Sequence, residues 1–220
     1  MNFFVTGTDT SVGKTLISCA LLHGFARQGL SVVGMKPVAC DDADINGDVS
    51  ALIAASNVLA SRGQINPYSF ERPVAPYLAA KFVGVRINLE RIHQSYSELA
   101  TQADVVIVEG AGGFRVPLNE SQDGADLARL LKLPVILVVG MRLGCLNHAV
   151  LTADAIARCG LKLAGWVANC VDGEMDMLSE NIEALTARIK GPLLGVVPYY
   201  QAVPDTSEAV RFLDMTLLKL

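Results

Sequence analysis

Thr8-Asp9-Thr10-Ser11-Val12-Gly13-Lys14-Thr15 decides the fold of this chain. It follows a short apolar run, Asn2 to Thr6, and opens an amphipathic stretch with Leu16, Ala20, Leu21 and Phe25 at helical spacing. Gly13-Lys14-Thr15 is the working end of a phosphate-binding loop. A triphosphate needs backbone N–H groups turned inward, an ammonium that reaches the β- and γ-phosphates, and a hydroxyl for Mg²⁺. The following helix aims the positive end of its dipole at the same anion. The strict motif places a glycine at position 8; this chain has Thr8 there, with Gly7 one step earlier. Strand, loop and helix nevertheless fall where the motif needs them, which points to nucleotide binding.

Working outward, strand-length apolar runs recur at Phe3–Thr6, Val32–Met35, Asp104–Val108, Pro134–Val139, Leu163–Ala168 and Leu193–Val197. The first helix is expected from Gly13 to near Gly29. Later ones are expected at Val49–Ala60, Leu89–Thr101, Ala125–Lys132, Asn147–Arg158, Met175–Lys190 and Ser207–Leu218. This alternation predicts an α/β protein, a single P-loop domain over residues 1–220. Its sheet should be mostly parallel and doubly wound, with helices on both faces. Arg62–Arg86, with Pro67, Pro73 and Pro76 and no clear period, reads as a long excursion over one face.

Composition narrows the class. A hydrophobic fraction of 51% and mean hydropathy of +0.39 suit strands buried on both sides. The net charge of −4, with no basic run, argues against nucleic acid and anionic membrane as partners. Cys19, Cys40, Cys145, Cys159 and Cys170 form no C-x-x-C pair. Neither a signal segment nor a run of membrane-spanning length is present, so a soluble, cytoplasmic protein is expected.

In open parallel sheets ligands sit beyond the carboxyl ends of the strands, so chemistry belongs just after each apolar run. Lys36 ends the second run, where a solvated lysine would serve no packing purpose. Glu109 ends the third and precedes Gly110-Ala111-Gly112-Gly113, placing an acid beside the phosphate loop where it could hold Mg²⁺. Asp48 opens a helix after the acidic stretch Asp41-Asp42-Ala43-Asp44; alone it reads as a first-turn acid that complements the helix dipole. The turn Gly144-Cys145-Leu146-Asn147 enters a helix whose start could bind a carboxylate, or Asn147 could be a plain N-cap. His23 and His93 read as packing or surface residues, and no metal-ligand spacing is visible.

Taken together, these segments resemble a known family. Phe4-Val5-Thr6-Gly7-Thr8-Asp9-Thr10, Val12-Gly13-Lys14-Thr15, Lys36-Pro37-Val38-Ala39 and Val108-Glu109-Gly110-Ala111-Gly112-Gly113 resemble dethiobiotin synthetases. So do Leu133–Gly140, Leu143-Gly144-Cys145-Leu146-Asn147-His148-Ala149 and Gly165-Trp166-Val167-Ala168-Asn169. The resemblance runs in order along nearly the whole chain. It implies that ATP, CO₂ or bicarbonate and 7,8-diaminononanoate give dethiobiotin, ADP and phosphate, with Mg²⁺ required.

The resemblance also implies roles for individual residues. Ser11, Val12, Gly13, Lys14, Thr15 and Leu16, with Gly110, Ala111 and Gly112, would carry the phosphates, and Thr15, Asp48 and Glu109 would surround Mg²⁺. Lys36 and Lys14 would be catalytic, with Thr10, Lys36 and Cys40 near the diamine. Asn169, Cys170, Pro198, Tyr199, Tyr200 and Asp205 would lie around the adenine. Gly144, Cys145, Leu146 and Asn147 would take the substrate carboxylate from a second subunit of a homodimer. This chain departs from the family at Cys40, usually serine, at Ser11 and Cys170, often acids, and in a short loop between Cys40 and Asp48. The alternatives are a nucleotide-switch ATPase and a paralogous synthetase for another small acid. Many switch ATPases carry a lysine early in the loop, where this chain has Asp9.

Overall fold

The computed structural model describes residues 1–40, 47–202 and 205–218. The acidic stretch Asp41–Asp44 and most of the short loop after Cys40 lie outside the described residues. Along the chain the elements are β1 (Asn2–Gly7), α1 (Lys14–Ala26), β2 (Val32–Met35), β3 (Val38–Cys40), α2 (Asp48–Ala55), α3 (Arg62–Ile65), β4 (Tyr68–Phe70), α4 (Pro76–Phe82) and α5 (Leu89–Ala100). They continue with β5 (Val105–Gly113), α6 (Gly124–Leu131), β6 (Val135–Met141), α7 (Cys145–Arg158), β7 (Leu163–Cys170), α8 (Leu178–Thr186), β8 (Leu193–Val197) and α9 (Thr206–Ala209).

Six strands form one sheet in the order β2-β5-β1-β6-β7-β8, and every pairing in it is parallel. Because side chains alternate across a strand, each strand feeds two cores. Phe3, Val5, Ile107, Ile136 and Val138 pack with α1, Leu52 of α2 and the C-terminal segment. Phe4, Val106, Val108, Leu137 and Trp166 pack with α5, α6, α7 and α8 on the other face. The doubly wound expectation is met. Strand order reverses around β1, and the ends of β1, β5 and β6 meet there, with Gly7 opposite both Gly113 and Val138. That is the crevice where an open α/β sheet binds ligand.

Several elements differ from the sequence expectation. The stretch after the phosphate loop is not amphipathic: α1 is buried nearly all round, because the sheet, α2 and the C-terminal segment enclose it. The Phe3 and Phe25 rings stack at 6.0 Å, tying its far end to β1. β5 does not stop at Val108 but remains a strand through its glycines to Gly113. α2 ends at Ala55, not Ala60, because the next two side chains serve the edge strand β2. Gly34 N–H donates to Ser56 Oγ at 2.9 Å and Val32 N–H to Asn57 Oδ1 at 2.7 Å. α8 covers only Leu178–Thr186 of the expected Met175–Lys190.

Ser207–Leu218 is not one helix. It is α9 followed by two 3₁₀ turns, Val210–Phe212 and Met215–Leu217. Between them the chain bonds to β8: Asp214 N–H donates to Leu194 O at 2.7 Å, and Leu213 bridges Gly195. A Cβ at Gly195 would lie 1.8 Å from Phe212 O, so glycine alone lets the segment cover this sheet edge. The excursion Arg62–Arg86 has structure of its own. α3 opens with a Ser61–Gln64 capping box, β4 pairs with β3 in a second parallel sheet, and Pro76 starts α4. No helix among the described residues is long and apolar enough to cross a membrane.

Candidate active site

A cleft of about 870 Å³ opens over the switch point, floored by the phosphate loop and the ends of β2, β3 and β5. The loop is shaped by three glycines. Gly13 takes φ +87° to start α1, a conformation natural to glycine. Gly7 and Gly140 leave the slot filled by the buried Val12 side chain; a Cβ on either would come within 2.5 and 2.8 Å of it. Gly7, one residue before the position of the strict motif's first glycine, therefore makes room for Val12 at the loop's entrance. Ser11 sits at φ +55°, exposed, on the cleft wall with Thr10. Leu16 instead faces the core on the α1 side.

Below this loop the charges are almost sealed from solvent. Lys14 is 7% exposed, Lys36 4% and Glu109 0%. The Lys36 ammonium bonds to Glu109 Oε1 and also to Asp48 Oδ2 at 2.7 Å, so it bridges both carboxylates. Thr15 Oγ1 donates to the same Glu109 oxygen at 2.8 Å. Lys14 Nζ donates to Asp9 O at 2.8 Å. Burial, reinforced by the Lys36 charge, lowers the Lys14 pKa to about 8. Burial also acts to lower that of Lys36, but Glu109 and Asp48 outweigh it and hold the ammonium above its ordinary value. Asp48, half exposed at the start of α2, is opposed by desolvation yet held below the usual carboxylate range by Lys36.

One atom in the cluster has no partner. Glu109 Oε2 is buried and makes no hydrogen bond, although its twin oxygen accepts two. A carboxylate oxygen left bare in a protein interior costs about 1–3 kcal/mol or more unless a ligand completes it.

The sequence-proposed residues fall into three groups. Thr10, Ser11, Lys14, Lys36, Cys40, Asp48, Ala111 and Gly112 line the cleft. Thr15, Glu109 and Gly110 lie just beneath it, with Gly110 against the Phe4 ring. Asn169, Cys170, Pro198, Tyr199 and Tyr200 belong to the ends of β7 and β8, outside that lining, where Tyr199 lies over Gly173. Asp205 caps α9 by accepting from Ser207 N–H at 2.8 Å. Asn169 links this group to the first, its Nδ2 donating to Val12 O at 2.8 Å.

The turn Gly144–Asn147 stands apart from the cleft. Gly144 is the N-cap of α7 at φ +94° and Asn147 is the third helical residue, so the N-cap role considered for Asn147 is overturned. Gly144, Leu146 and Asn147 are exposed and Cys145 is buried. Sequence reasoning missed Pro73–Pro76 and the α7 residues Leu151, Thr152 and Ala155, all of which line the cleft. It also missed Asn66, whose Nδ2 donates to Lys36 O at 2.6 Å and sets the backbone of the bridging lysine. Arg142 was missed too; it pairs with Asp9 at 2.7 Å. A buried asparagine inside a proline-rich excursion was the available signal for Asn66.

Comparison with known proteins places the chain among its relatives. A family described as "AAA domain" matches residues 1–207. The ATP-dependent dethiobiotin synthetase BioD of Nitrosospira multiformis is 55% identical, the match covering 90% of this chain and 88% of the relative. The protein of the same name from a Janthinobacterium species is 49% identical over 99% of this chain and 95% of the relative. Among solved structures, the MinD cell division protein of Aquifex aeolicus superposes with TM-score 0.59 at 15% identity, covering 95% of this chain and 86% of that one. A ParA family ATPase from Chlorobium tepidum gives 0.58 at 12% identity, covering 100% and 99%. These two show a shared P-loop fold and no more. A phosphate loop, a buried acid behind it and near-complete matches at half identity lead to one assignment: the chain belongs to the ATP-dependent dethiobiotin synthetase family.

Proposed function

We propose that residues 1–220 act as one nucleotide-binding synthetase unit. It uses ATP to carboxylate 7,8-diaminononanoate with CO₂ and close the ring to dethiobiotin, a step of biotin biosynthesis that releases ADP and phosphate. The observation that carries the reading is the Lys14–Lys36–Glu109–Thr15–Asp48 cluster under an open cleft, in a chain half-identical to enzymes of that name.

One substrate amine adds CO₂ to give a carbamate anion, whose oxygen attacks the γ-phosphate and expels ADP. The second amine then attacks the mixed carbamic–phosphoric anhydride, closing the cyclic urea as phosphate leaves. No protein nucleophile is needed, so the task is alignment and charge neutralisation. Lys14 would exchange the Asp9 carbonyl for phosphate oxygens. Lys36, fixed at the cleft floor, offers its ammonium where carbamate and γ-phosphate converge, and burial strengthens that contact relative to water. Thr10 and Cys40 line the wall beside it.

Mg²⁺ fits the same cluster. Among the described residues no three His, Cys, Asp or Glu side chains group as a closed cation cage. Magnesium in triphosphate sites uses one or two carboxylates, a hydroxyl and phosphate oxygens. Glu109, with its bare Oε2, Asp48 and Thr15 supply that set. These residues would hold the ion, which would supply positive charge to neutralise the triphosphate. Asn169, Cys170, Pro198, Tyr199, Tyr200 and Asp205 would hold the base on the β7–β8 side. The carboxylate anchor at Gly144–Asn147 lies off this chain's own cleft lining, which supports a homodimer with a shared site; the reading places that enzyme in the cytoplasm.

Incubating the protein with ATP, Mg²⁺, bicarbonate and diaminononanoate should yield dethiobiotin by mass, and Lys14→Gln should yield none. ATP hydrolysis stimulated by a macromolecule, without diamine consumption, would favour a nucleotide switch instead.

A further inference from the structure

We propose that Asn169 is a positioning residue for the phosphate loop: its side-chain amide orients the Val12–Gly13 peptide so that the Gly13 N–H faces the triphosphate. The inference rests on the ATP-dependent reading above and adds to it a coupling between base and phosphate recognition.

Asn169 is the penultimate residue of the inner strand β7 and is 4% exposed. Its Nδ2 reaches 157 residues back along the chain to donate to Val12 O at 2.8 Å. A backbone carbonyl only accepts, so chemistry fixes which end of the amide faces the loop. The fit is close: a Cβ on Gly13 would lie 2.1 Å from Nδ2, so residue 13 admits no side chain while Asn169 is in place. Val12 is thus held twice, by its side chain between Gly7 and Gly140 and by its carbonyl on Asn169.

The consequence follows from peptide geometry. In a trans peptide the C=O and the next N–H point to opposite sides, and no peptide among the described residues is cis. Drawing the Val12 carbonyl toward β7 therefore turns the Gly13 N–H away from β7, into the concavity that Lys14 overlooks. Inward N–H groups are what such a loop offers an anion. The amide's oxygen diverges from its nitrogen at the trigonal Cγ, so Asn169 can accept a base amino group through Oδ1 while Nδ2 keeps the loop set. One side chain then reads the base and aligns the phosphates.

Inorganic tripolyphosphate, which has no base, separates the two roles. Calorimetry with Mg²⁺ and tripolyphosphate on wild type, Asn169→Ala, Asn169→Asp and Lys14→Gln should show about a tenfold loss for Asn169→Ala, the scale of one hydrogen bond. Asn169→Asp should lose more than Asn169→Ala, because it sets a carboxylate against the Val12 carbonyl. With ATP, kcat should fall in both Asn169 variants as well as KM rising. Unchanged tripolyphosphate affinity in both Asn169 variants, with Lys14→Gln defective, overturns the clamp and leaves the phosphate loop standing. Wild-type affinity in all three variants overturns both. Should the variants misfold, the ¹⁵N side-chain amide of Asn169 in the nucleotide-free wild type gives the answer. One proton in slow exchange supports the bond to Val12, and fast exchange of both protons overturns it.

Discussion

The cleft floor and the turn after β6 are built in opposite ways. On the floor, three charged side chains are almost wholly buried: Lys36 and Glu109 are tied to each other and to Asp48 and Thr15, and Lys14 is tied to the Asp9 carbonyl, all within one chain. At the turn, Leu143 is 97% exposed, Leu146 and Asn147 face solvent, and α7 begins without a side-chain cap. The first N–H groups of a helix have no partners inside the helix; here Cys145 N–H is taken by Arg142 O at 3.0 Å, which leaves those of Leu146 and Asn147 for a ligand. The phosphate half of the site is completed by its own fold. The carboxylate half, in the proposed function, is presented outward to another subunit.

The largest effect expected from this contrast is at Lys36. Lys36→Met should lower kcat by several orders of magnitude while ATP affinity changes little, because the ammonium acts where negative charge is redistributed during transfer. It should also weaken the fold, by about 3–5 kcal/mol, since Glu109 would keep a buried charge with its counter-ion gone. The double variant Lys36→Met/Glu109→Gln should recover most of that stability in chemical denaturation and none of the turnover. Equal losses of ATP affinity and kcat would make Lys36 an ordinary phosphate anchor.

Lys14 should behave in the reverse sense. Its pKa is lowered to about 8, first by burial and then by Lys36, so the nucleotide-free fold works against its ammonium. Between about pH 8 and 10.5 the unfolded chain holds a proton that the folded chain has released, so wild-type stability rises with pH across that window. Lys14→Gln removes the conflict. It should abolish productive triphosphate binding while stabilising the empty protein by about 3 kcal/mol at pH 7, a gain that shrinks toward pH 10.5. Parallel denaturation curves at pH 7 and pH 10 measure it, and a destabilised variant at pH 7 would show that Lys14 is structural.

What the sequence made legible divides along the same line. Strand-length apolar runs and one glycine-lysine-threonine signature carried the sheet and its switch point, because buried parallel strands are written as continuous hydrophobic runs. Lys36 and Glu109 were readable as chemistry, since each ends such a run. Their mutual ion pair was not, because β2 and β5 are neighbours only after the strand order is known. The Arg62–Arg86 excursion hid α3, β4 and α4, each too short to show a period. The C-terminal segment carried helical spacing yet broke into short turns, because bonds from Asp214 and Leu213 to the β8 edge outcompeted helix propagation. There propensity lost to tertiary contact.

A smaller effect is expected at the exposed turn. Asn147→Ala should raise the diamine KM about tenfold and spare ATP binding, as for one lost polar contact to a charged group. Gly144→Val is harsher, because φ +94° strains a β-branched residue. In a symmetric dimer, mixing Gly144→Val with Lys14→Gln subunits gives hybrids with one intact site. Activity should return to about a quarter of wild type, half the dimers carrying half their sites. No recovery after verified subunit exchange would place the carboxylate anchor within the same chain as the phosphate loop.

The smallest effect belongs to Cys40, half-buried on the cleft wall where the family resemblance expects serine. Burial raises its thiol pKa to about 11, with the Lys36 charge only partly opposing it. At pH 8 roughly one thiol in a thousand is ionised, too few for a nucleophile or a standing negative charge. What remains is a weak hydrogen-bond donor on the wall that, in the proposed function, faces the amines, and serine is a stronger one of similar size. Cys40→Ser should therefore change diamine KM by no more than about tenfold, without loss of kcat. Iodoacetamide should label Cys40 more slowly at pH 8 than it labels a free cysteine in the same solution. Fast labelling, or a collapse of kcat on substitution, would mean that the cleft wall holds a working thiolate stabilised by the Lys36 charge.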